Sequence, residues 1–369
     1  MLARDLHPGA WWLWAIGLAA AATFTLNPVA LLLIWAVAAL VVMARRSEAP
    51  WALSFRLYVF LAIFIVVLRV VFRIVFGTAA TDADVIVLHL PEIPLPEAAR
   101  GIQLLGDVTL VALLSGFYDG LRLGAIVLCV GAANALANPK RLLKSVPPAL
   151  YEVGTAVVVA LTIFPQLAES VQRVNRARQL RGSPRRGVGV LRRVVVPVLE
   201  DALERSMTLA MGMDARGYGR SGRATARERL VTGVLMLVAL FALCVGIYAY
   251  LDATAPRALA VGGLAVGLLT AAAGLWSAGR RVERTRYRPD RWRTAELVTA
   301  GAGIAVAIGV DRAYALDPFA VVPGLDGWPE VSPWVLAIIM VGALPAFVTP
   351  PPAVERGTQS PSPEEVVDA

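Results

Sequence analysis

Long apolar segments separated by short polar ones constrain this chain more than any other feature of its sequence. Of its 369 residues, 57% are hydrophobic and 17% are charged. Soluble domains, in contrast, are about 45–50% apolar and about a quarter charged. A run of about 20 apolar residues crosses the hydrocarbon core of a bilayer as a helix. The sequence therefore predicts an all-α polytopic membrane protein that is anchored in the lipid bilayer.

Eight segments are predicted to span the membrane. They lie at about 11–26, 29–43, 57–76, 121–137, 230–251, 258–277, 295–310 and 333–348. The segment 151–165 is also apolar, but both of its flanks are basic, so we place it on or partly in the inner leaflet and leave open whether it crosses the membrane. Asn27-Pro28 is a turn signal between the first two spans. Residues 107–118 are predicted to form a short amphipathic segment before the fourth span.

Two basic stretches orient the chain in the membrane. They lie at 173–193 and 280–293, and loops rich in arginine stay on the cytoplasmic side. This predicts a multi-pass protein of the cell membrane with both termini in the cytoplasm. The loops at 78–106 and 311–330 are acidic and are expected outside. No nucleic-acid motif accompanies the arginines, so nucleic acid is not a predicted partner.

The sequence divides into four predicted parts. N-terminal transmembrane helices occupy 1–137, cytoplasmic coupling helices 138–229, C-terminal transmembrane helices 230–349, and a disordered tail 350–369. Within the second part, apolar residues at helical spacing predict one amphipathic helix from Leu161 and a longer one from Val194 to Arg216.

Residues that perform chemistry are sparse in this sequence. The two histidines are far apart, and no P-loop motif is present. Cys129 and Cys244 lie in apolar runs and are expected to be buried thiols. We therefore predict no catalytic residue, no metal site and no cofactor, and a protein that is not an enzyme.

Two arginine-glycine pairs, Arg181-Gly182 and Arg216-Gly217, close the two amphipathic helices. Glycine accepts the left-handed conformation that ends many helices, and a cation is favourable at the negative end of the helix dipole. Each pair is thus explained as a helix cap. However, a guanidinium at a helix tip also binds a carboxylate of a second protein through two hydrogen bonds. Two such tips would engage two grooves.

The motif MDARGYG at 213–219 resembles the signature of the transmembrane T component of energy-coupling-factor (ECF) importers. RARQLRG at 176–182 resembles the looser first copy of that motif in the family. The resemblance covers about residues 6–251 and includes Asn27-Pro28, Asn138-Pro139 and Phe164-Pro165. It implies a chain that holds a substrate-binding S component in the membrane and docks onto two ABC ATPase subunits in the cytoplasm. Such importers take up vitamins or metal ions.

The resemblance also implies roles for particular residues. Coupling to the ATPases falls to Arg181, Gly182, Ala215, Arg216 and Gly217. The apolar face of the second helix is expected to meet the S component. That face consists of Val195, Val198, Leu199, Ala202, Leu209 and Met213. The sequence departs from the family in having leucine at 180, where alanine is usual, and three further spans after about residue 258.

Two other classes of protein remain open. A stand-alone secondary transporter or channel for an anionic solute would line its path with Arg69, Arg73 and Arg122, since charges within spans are often functional. Alternatively, Arg69 and Arg73 extend to the outer headgroups, and Arg122 pairs with Asp119 three residues away. A purely structural membrane scaffold would show no dependence on ATP.

Overall fold

The protein is described here by a computed structural model. The described residues are 4–47, 54–76, 85–91, 105–145, 148–180, 188–217, 225–252, 254–280, 291–325, 328–330 and 332–351. Their helices are α1 (Pro8–Phe24), α2 (Pro28–Arg45), α3 (Phe55–Val75), α4 (Leu110–Leu136), α5 (Pro139–Lys144), α6 (Tyr151–Leu180), α7 (Val188–Ala215), α8 (Ala226–Leu251), α9 (Arg257–Gly279), α10 (Thr294–Leu316), α11 (Pro318–Val321), α12 (Pro333–Val341) and α13 (Leu344–Val348). A small antiparallel sheet joins β1 (Ile86–His89) to β2 (Asp107–Thr109).

The all-α polytopic fold is confirmed, but the count of eight spans is not. Seven described helices, α2, α3, α4, α6, α8, α9 and α10, are long and apolar enough to cross a membrane. The expected first span corresponds to α1, which has 17 residues. The expected last span is divided, because α12 ends at Val341 and α13 begins at Leu344. Conversely, α6 includes the apolar segment 151–165, which the sequence predicts on or partly in the inner leaflet.

The structure corrects the predicted boundary between the amphipathic segment and the fourth span. The amphipathic segment predicted at 107–118 and the fourth span form one helix, α4, which begins after the short strand β2. Glycine does not interrupt α4 because its glycines lie against α3. A Cβ at Gly116 would be 2.7 Å from Cγ of Arg73, and one at Gly120 would be 2.8 Å from Cα of Val66. Here glycine permits close helix packing and does not break the helix.

The coupling helices are longer than predicted. The first begins at Tyr151 and not near Leu161, so the apolar segment 151–165 and the amphipathic segment after it form one helix of 30 residues. The second begins at Val188 and not at Val194. Residues 181–187, which connect the two helices, lie outside the described residues.

By its internal contacts the chain forms two compact units. One comprises Met1–Leu142 together with Asp290–Ala369. In this unit α1 packs against α4 and α10, α2 packs against α4, α12 and α13, and α3 packs against α4. Its buried core includes Trp14, Leu18, Leu31, Ile34, Leu128, Val306 and Ile339. The four-part functional division of the sequence stays a prediction, as does the orientation of the termini.

The other unit comprises Leu143–Pro289. In it α8 packs along α9, and α6 packs against α7. Glycine allows the backbones of α8 and α9 to touch, since a Cβ at Gly246 would lie 2.6 Å from the backbone nitrogen of Leu264. Cys129 of the first unit is buried as expected, but Cys244 on α8 is exposed. The expectation of two buried thiols is therefore wrong for Cys244, whose helix has a largely exposed apolar surface.

Candidate coupling site

The end of α7 presents an arginine to solvent. The helix ends at Ala215, and the Gly217 backbone N–H then donates to the carbonyl oxygen of Asp214 at 2.9 Å. Gly217 has a φ of 75°, in the left-handed region that glycine adopts without strain. The chain therefore turns immediately after Arg216, whose side chain is exposed. Within the described residues, its guanidinium has no ion-pair partner.

The surroundings of the first arginine-glycine pair, Arg181-Gly182, cannot be compared with those of Arg216-Gly217. Helix α6 ends at Leu180, whose side chain is 89% exposed. Arg181 and Gly182 lie outside the described residues. Their coupling role, like that of Ala215, Arg216 and Gly217, stays a prediction.

A polar network joins α6 to α7 around Asp201. The Ser170 hydroxyl donates to Oδ2 of Asp201 at 2.6 Å, and the Arg173 guanidinium donates to the same oxygen at 3.2 Å. Nε of Arg205, four residues further along α7, donates to Oδ1 at 3.0 Å. These hydrogen bonds, that from Ser170 above all, lower the pKa of Asp201 below its ordinary value of 3.8. Asp201 is therefore a carboxylate near neutral pH.

Few of the described side chains of α6 and α7 are buried. Among the side chains described on α6 and α7, Ser170 and Val198 are the ones that are buried. Val198 precedes Asp201 by about one helical turn, so both lie on the same side of α7. We call Ser170, Arg173, Val198, Asp201 and Arg205 the helix crossing. It fixes α6 and α7 to each other at one place and leaves much of their length exposed.

Most of the residues expected to face an S component are accessible. Val195, Leu199 and Leu209 are exposed by 39%, 55% and 39%. Ala202 and Met213 are half-buried. Val198 differs from the others because it is buried in the helix crossing. The Val198 side chain therefore already packs within this chain and is not accessible to an S component.

Sequence reasoning missed the helix crossing, although the sequence holds a signal for it. Asp201 and Arg205 are four residues apart on α7, and Ser170 and Arg173 are three apart on α6, so each pair lies on one helical face. On α7, Asp201 and Arg205 lie in a narrow strip of polar residues. Their pairing with Ser170 and Arg173 requires the two helices to meet, and no pattern within either helix states that.

The three arginines considered for an anion path lie in different surroundings. Arg122 donates to Asp119 at 3.2 Å, which confirms the predicted pair, and Arg73 lies 3.9 Å from the same carboxylate. Arg69 is exposed on α3. Of the three arginines, Arg122 lines an open cleft of about 300 Å³. The other lining residues are Thr23, Phe24, Leu26, Tyr314 and Val322.

Among the described residues, no group of three or more histidine, cysteine, aspartate or glutamate side chains is arranged to hold a metal ion. These features define a class: a polytopic α-helical membrane protein that carries a pair of long amphipathic helices, one of which ends in an exposed arginine.

Comparison with known proteins identifies the family within that class. The family profile described as CbiQ, cobalt transport protein, matches residues 2–226, more than half of the chain, and the chain belongs to this family. It is also 32% identical over 102 residues to the energy-coupling factor transporter transmembrane protein EcfT of Exiguobacterium sibiricum. That match covers 24% of this chain and 39% of the length of the relative. The predicted resemblance to the EcfT/CbiQ type of membrane component is confirmed.

Proposed function

We propose that this chain is the transmembrane coupling subunit of an ECF-type ABC importer. It transmits the motion of two cytoplasmic ABC ATPase subunits to a membrane-embedded S component, which binds a vitamin or a metal ion as the substrate. The observation that carries the proposal is the exposed Arg216 at the end of α7, after which the chain turns at Gly217 with a positive φ. Membership of the cobalt transport protein family supports it.

Arg216 is suited to bind a partner protein because its charge is not neutralised within the described residues. Its planar guanidinium forms two parallel hydrogen bonds with a carboxylate, an arrangement that lysine does not reproduce. In the proposed complex, Arg216 enters an acidic groove on one ATPase, and Arg181 enters the equivalent groove on the other. Both grooves are cytoplasmic, and in this proposal both chain termini are cytoplasmic as well.

The helix crossing connects α6 and α7, the two helices that carry Arg181 and Arg216 at their ends. When ATP closes the ATPase pair, the two grooves approach each other and carry the tips of α6 and α7 with them. Because the helices are joined around Asp201, motion at one end changes the angle between them along their whole length. The contacts of this subunit then differ between the open and closed states, which nucleotide binding requires in order to shift their populations.

The exposed apolar side chains of α7 supply the contact with the S component. Val195, Leu199 and Leu209 are accessible on a helix whose remaining surface includes many charged groups. Burial of such side chains contributes about 25 cal/mol for each Å² of apolar surface removed from water. A change in the angle of α7 therefore reorients the S component and opens its binding site to the cytoplasm.

Purification of the full chain from its own membranes in mild detergent tests this assembly. We expect it to co-purify with two P-loop ATPase subunits and one small hydrophobic protein, identified by mass spectrometry. Liposomes that contain this whole complex should take up substrate only with ATP inside the compartment that the ATPases face. Uptake of an anion by the chain alone, without ATPases, would instead establish the stand-alone transporter.

A further inference from the structure

The matched family profile ends at residue 226, but the chain continues for another 143 residues. Part of this continuation, residues 291–351, packs against the N-terminal helices: α10 against α1, and α12 and α13 against α2. We propose that residues 291–351 act as a covalently attached membrane subunit, which covers a face of α1 and α2 and stays bound there without the covalent connection. This inference stands independently of the coupling function.

Near the start of α1, an ion pair joins the N-terminal segment to α10. The Arg4 guanidinium lies 2.8 Å from Oε1 of Glu296 on α10. The Glu296 side chain is 1% exposed, and it also accepts hydrogen bonds from the backbone N–H groups of His7 and Arg293. A buried carboxylate is costly unless such partners surround it. Glu296 therefore requires the N-terminal segment to be in place.

In the middle of the two helices, the backbones of α1 and α10 are in direct contact. A Cβ at Gly303 would overlap the backbone of Trp14, and a Cβ at Gly17 would overlap the backbone of Gly303. The buried Trp14 indole also donates to the carbonyl oxygen of Gly342 at 2.9 Å. Such fitted contacts between small residues are typical of specific association between membrane helices.

At the other end, the turn between α1 and α2 is held by polar groups. The Thr25 hydroxyl donates to the carbonyl oxygen of Val321 at 2.8 Å. The Asn27 amide donates to the carbonyl oxygens of Ala320 at 3.1 Å and Glu330 at 2.7 Å. Thr25 and Asn27 are both buried. The segment is thus attached at both ends and in the middle, as a specific protein partner would be.

The difference in exposure between the two sides of α10 also supports its packing against α1. Ala302, Val306 and Val310 are buried in the shared core, whereas Leu297 and Ile308 are exposed by 60% and 56%. One side of the helix therefore faces α1 and the rest of this unit, and the opposite side is accessible. If the segment is a built-in subunit, this face of α1 and α2 is closed to any other membrane protein.

Cleavage of the connection to this segment tests the inference. A recognition sequence for a specific protease is inserted between residues 281 and 290 of the full chain, and the purified protein is cut in mild detergent. We expect the C-terminal fragment to stay bound and co-elute with the remainder on size-exclusion chromatography. Elution as two separate species would overturn the inference.

Two glycines of α10 provide a matched pair of variants. Gly303→Leu places a side chain against the backbone of Trp14, whereas a Cβ at Gly301 meets nothing within 4 Å. After cleavage, Gly303→Leu should lose the C-terminal fragment, and Gly301→Leu should retain it as the unsubstituted chain does. Aggregation of uncut Gly303→Leu beside monodisperse Gly301→Leu would also support the shared surface. Equal retention of the fragment by both variants would contradict it.

Discussion

The Ser170 hydroxyl donates a 2.6 Å hydrogen bond to the Asp201 carboxylate, and this bond joins α6 to α7 where both helices are otherwise largely exposed. Asp201 also accepts from Arg173 and Arg205, so one carboxylate holds donors from both helices. In the proposed importer this arrangement makes Asp201 the positioning residue of the coupling helices, distinct from the arginine that contacts the ATPase.

Removal of the Asp201 carboxylate should reduce transport much more than ATP hydrolysis. Asp201→Ala leaves the buried Ser170 hydroxyl without its acceptor and releases Arg205, so α6 and α7 are no longer fixed at the crossing. We expect the complex to assemble and hydrolyse ATP with much less uptake per ATP. The measurement is the ratio of substrate transported to phosphate released in proteoliposomes. Glu204→Ala, at an exposed neighbouring position of α7, is the matched control and should keep the ratio unchanged.

The pH dependence of this contribution follows from the lowered pKa of Asp201. A carboxyl group with a lower pKa in the folded state stabilises the fold above its unfolded pKa, here near 3.8, and loses that effect as pH falls through the folded value. The difference in Tm between the unsubstituted chain and Asp201→Asn should therefore stay constant from pH 8 to pH 5. It should shrink only below about pH 4. A difference that disappears between pH 7 and pH 6 would contradict this assignment.

Two glycines near the end of α7 separate backbone conformation from side-chain space. A Cβ at Gly212 or at Gly217 meets nothing within 4 Å, but only Gly217 of this pair has a positive φ. Gly217→Ala should cost about 1–2 kcal/mol locally, whereas Gly212→Ala within the helix should stabilise it by about 0.5–1 kcal/mol. Amide hydrogen exchange over the last turn of α7 should therefore speed up in the first variant and slow down in the second. Uptake should fall only in Gly217→Ala.

The buried amide of Asn27 should stabilise the unit that contains α1 and α2. Asn27→Asp keeps the oxygen that caps α2 through the Val29 N–H but removes both N–H donors to Ala320 and Glu330. Leaving buried groups without their partners costs about 1–3 kcal/mol each, so the Tm should fall clearly. Thr23→Ala, at an exposed position nearby, should leave the Tm almost unchanged. Equal Tm values for the two variants would show that the Asn27 contacts contribute little.

Hydropathy predicted most of the helices because a bilayer demands long apolar segments with internally satisfied backbones. It predicted their ends less well. The expected break near Gly120 is absent because the glycines of α4 lie against α3, and a helix interior tolerates glycine where another backbone comes close. The last expected span is instead divided between α12 and α13, although its composition is uniformly apolar.

The return of the C-terminal segment to α1 and α2 could not be predicted from composition. The sequence shows spans in order, and both 230–289 and 291–351 contain apolar spans. Yet the first range belongs with the coupling helices and the second with the N-terminal helices. The difference lies in single residues, such as Glu296 opposite Arg4 and Gly303 opposite Trp14. The importance of these residues becomes visible only in the folded structure, where the two members of each pair meet.

ATP-driven uptake by a variant with both Arg181→Ala and Arg216→Ala tests the coupling claim most directly. The complete complex is reconstituted in proteoliposomes, and the matched control replaces the exposed arginines Arg227 and Arg229 by alanine. We predict that the first variant reaches the membrane in normal amounts but transports no substrate, while the control transports at the rate of the unsubstituted complex. Undiminished uptake by the Arg181/Arg216 variant would contradict the proposal that these two helix tips transmit the motion of the ATPases.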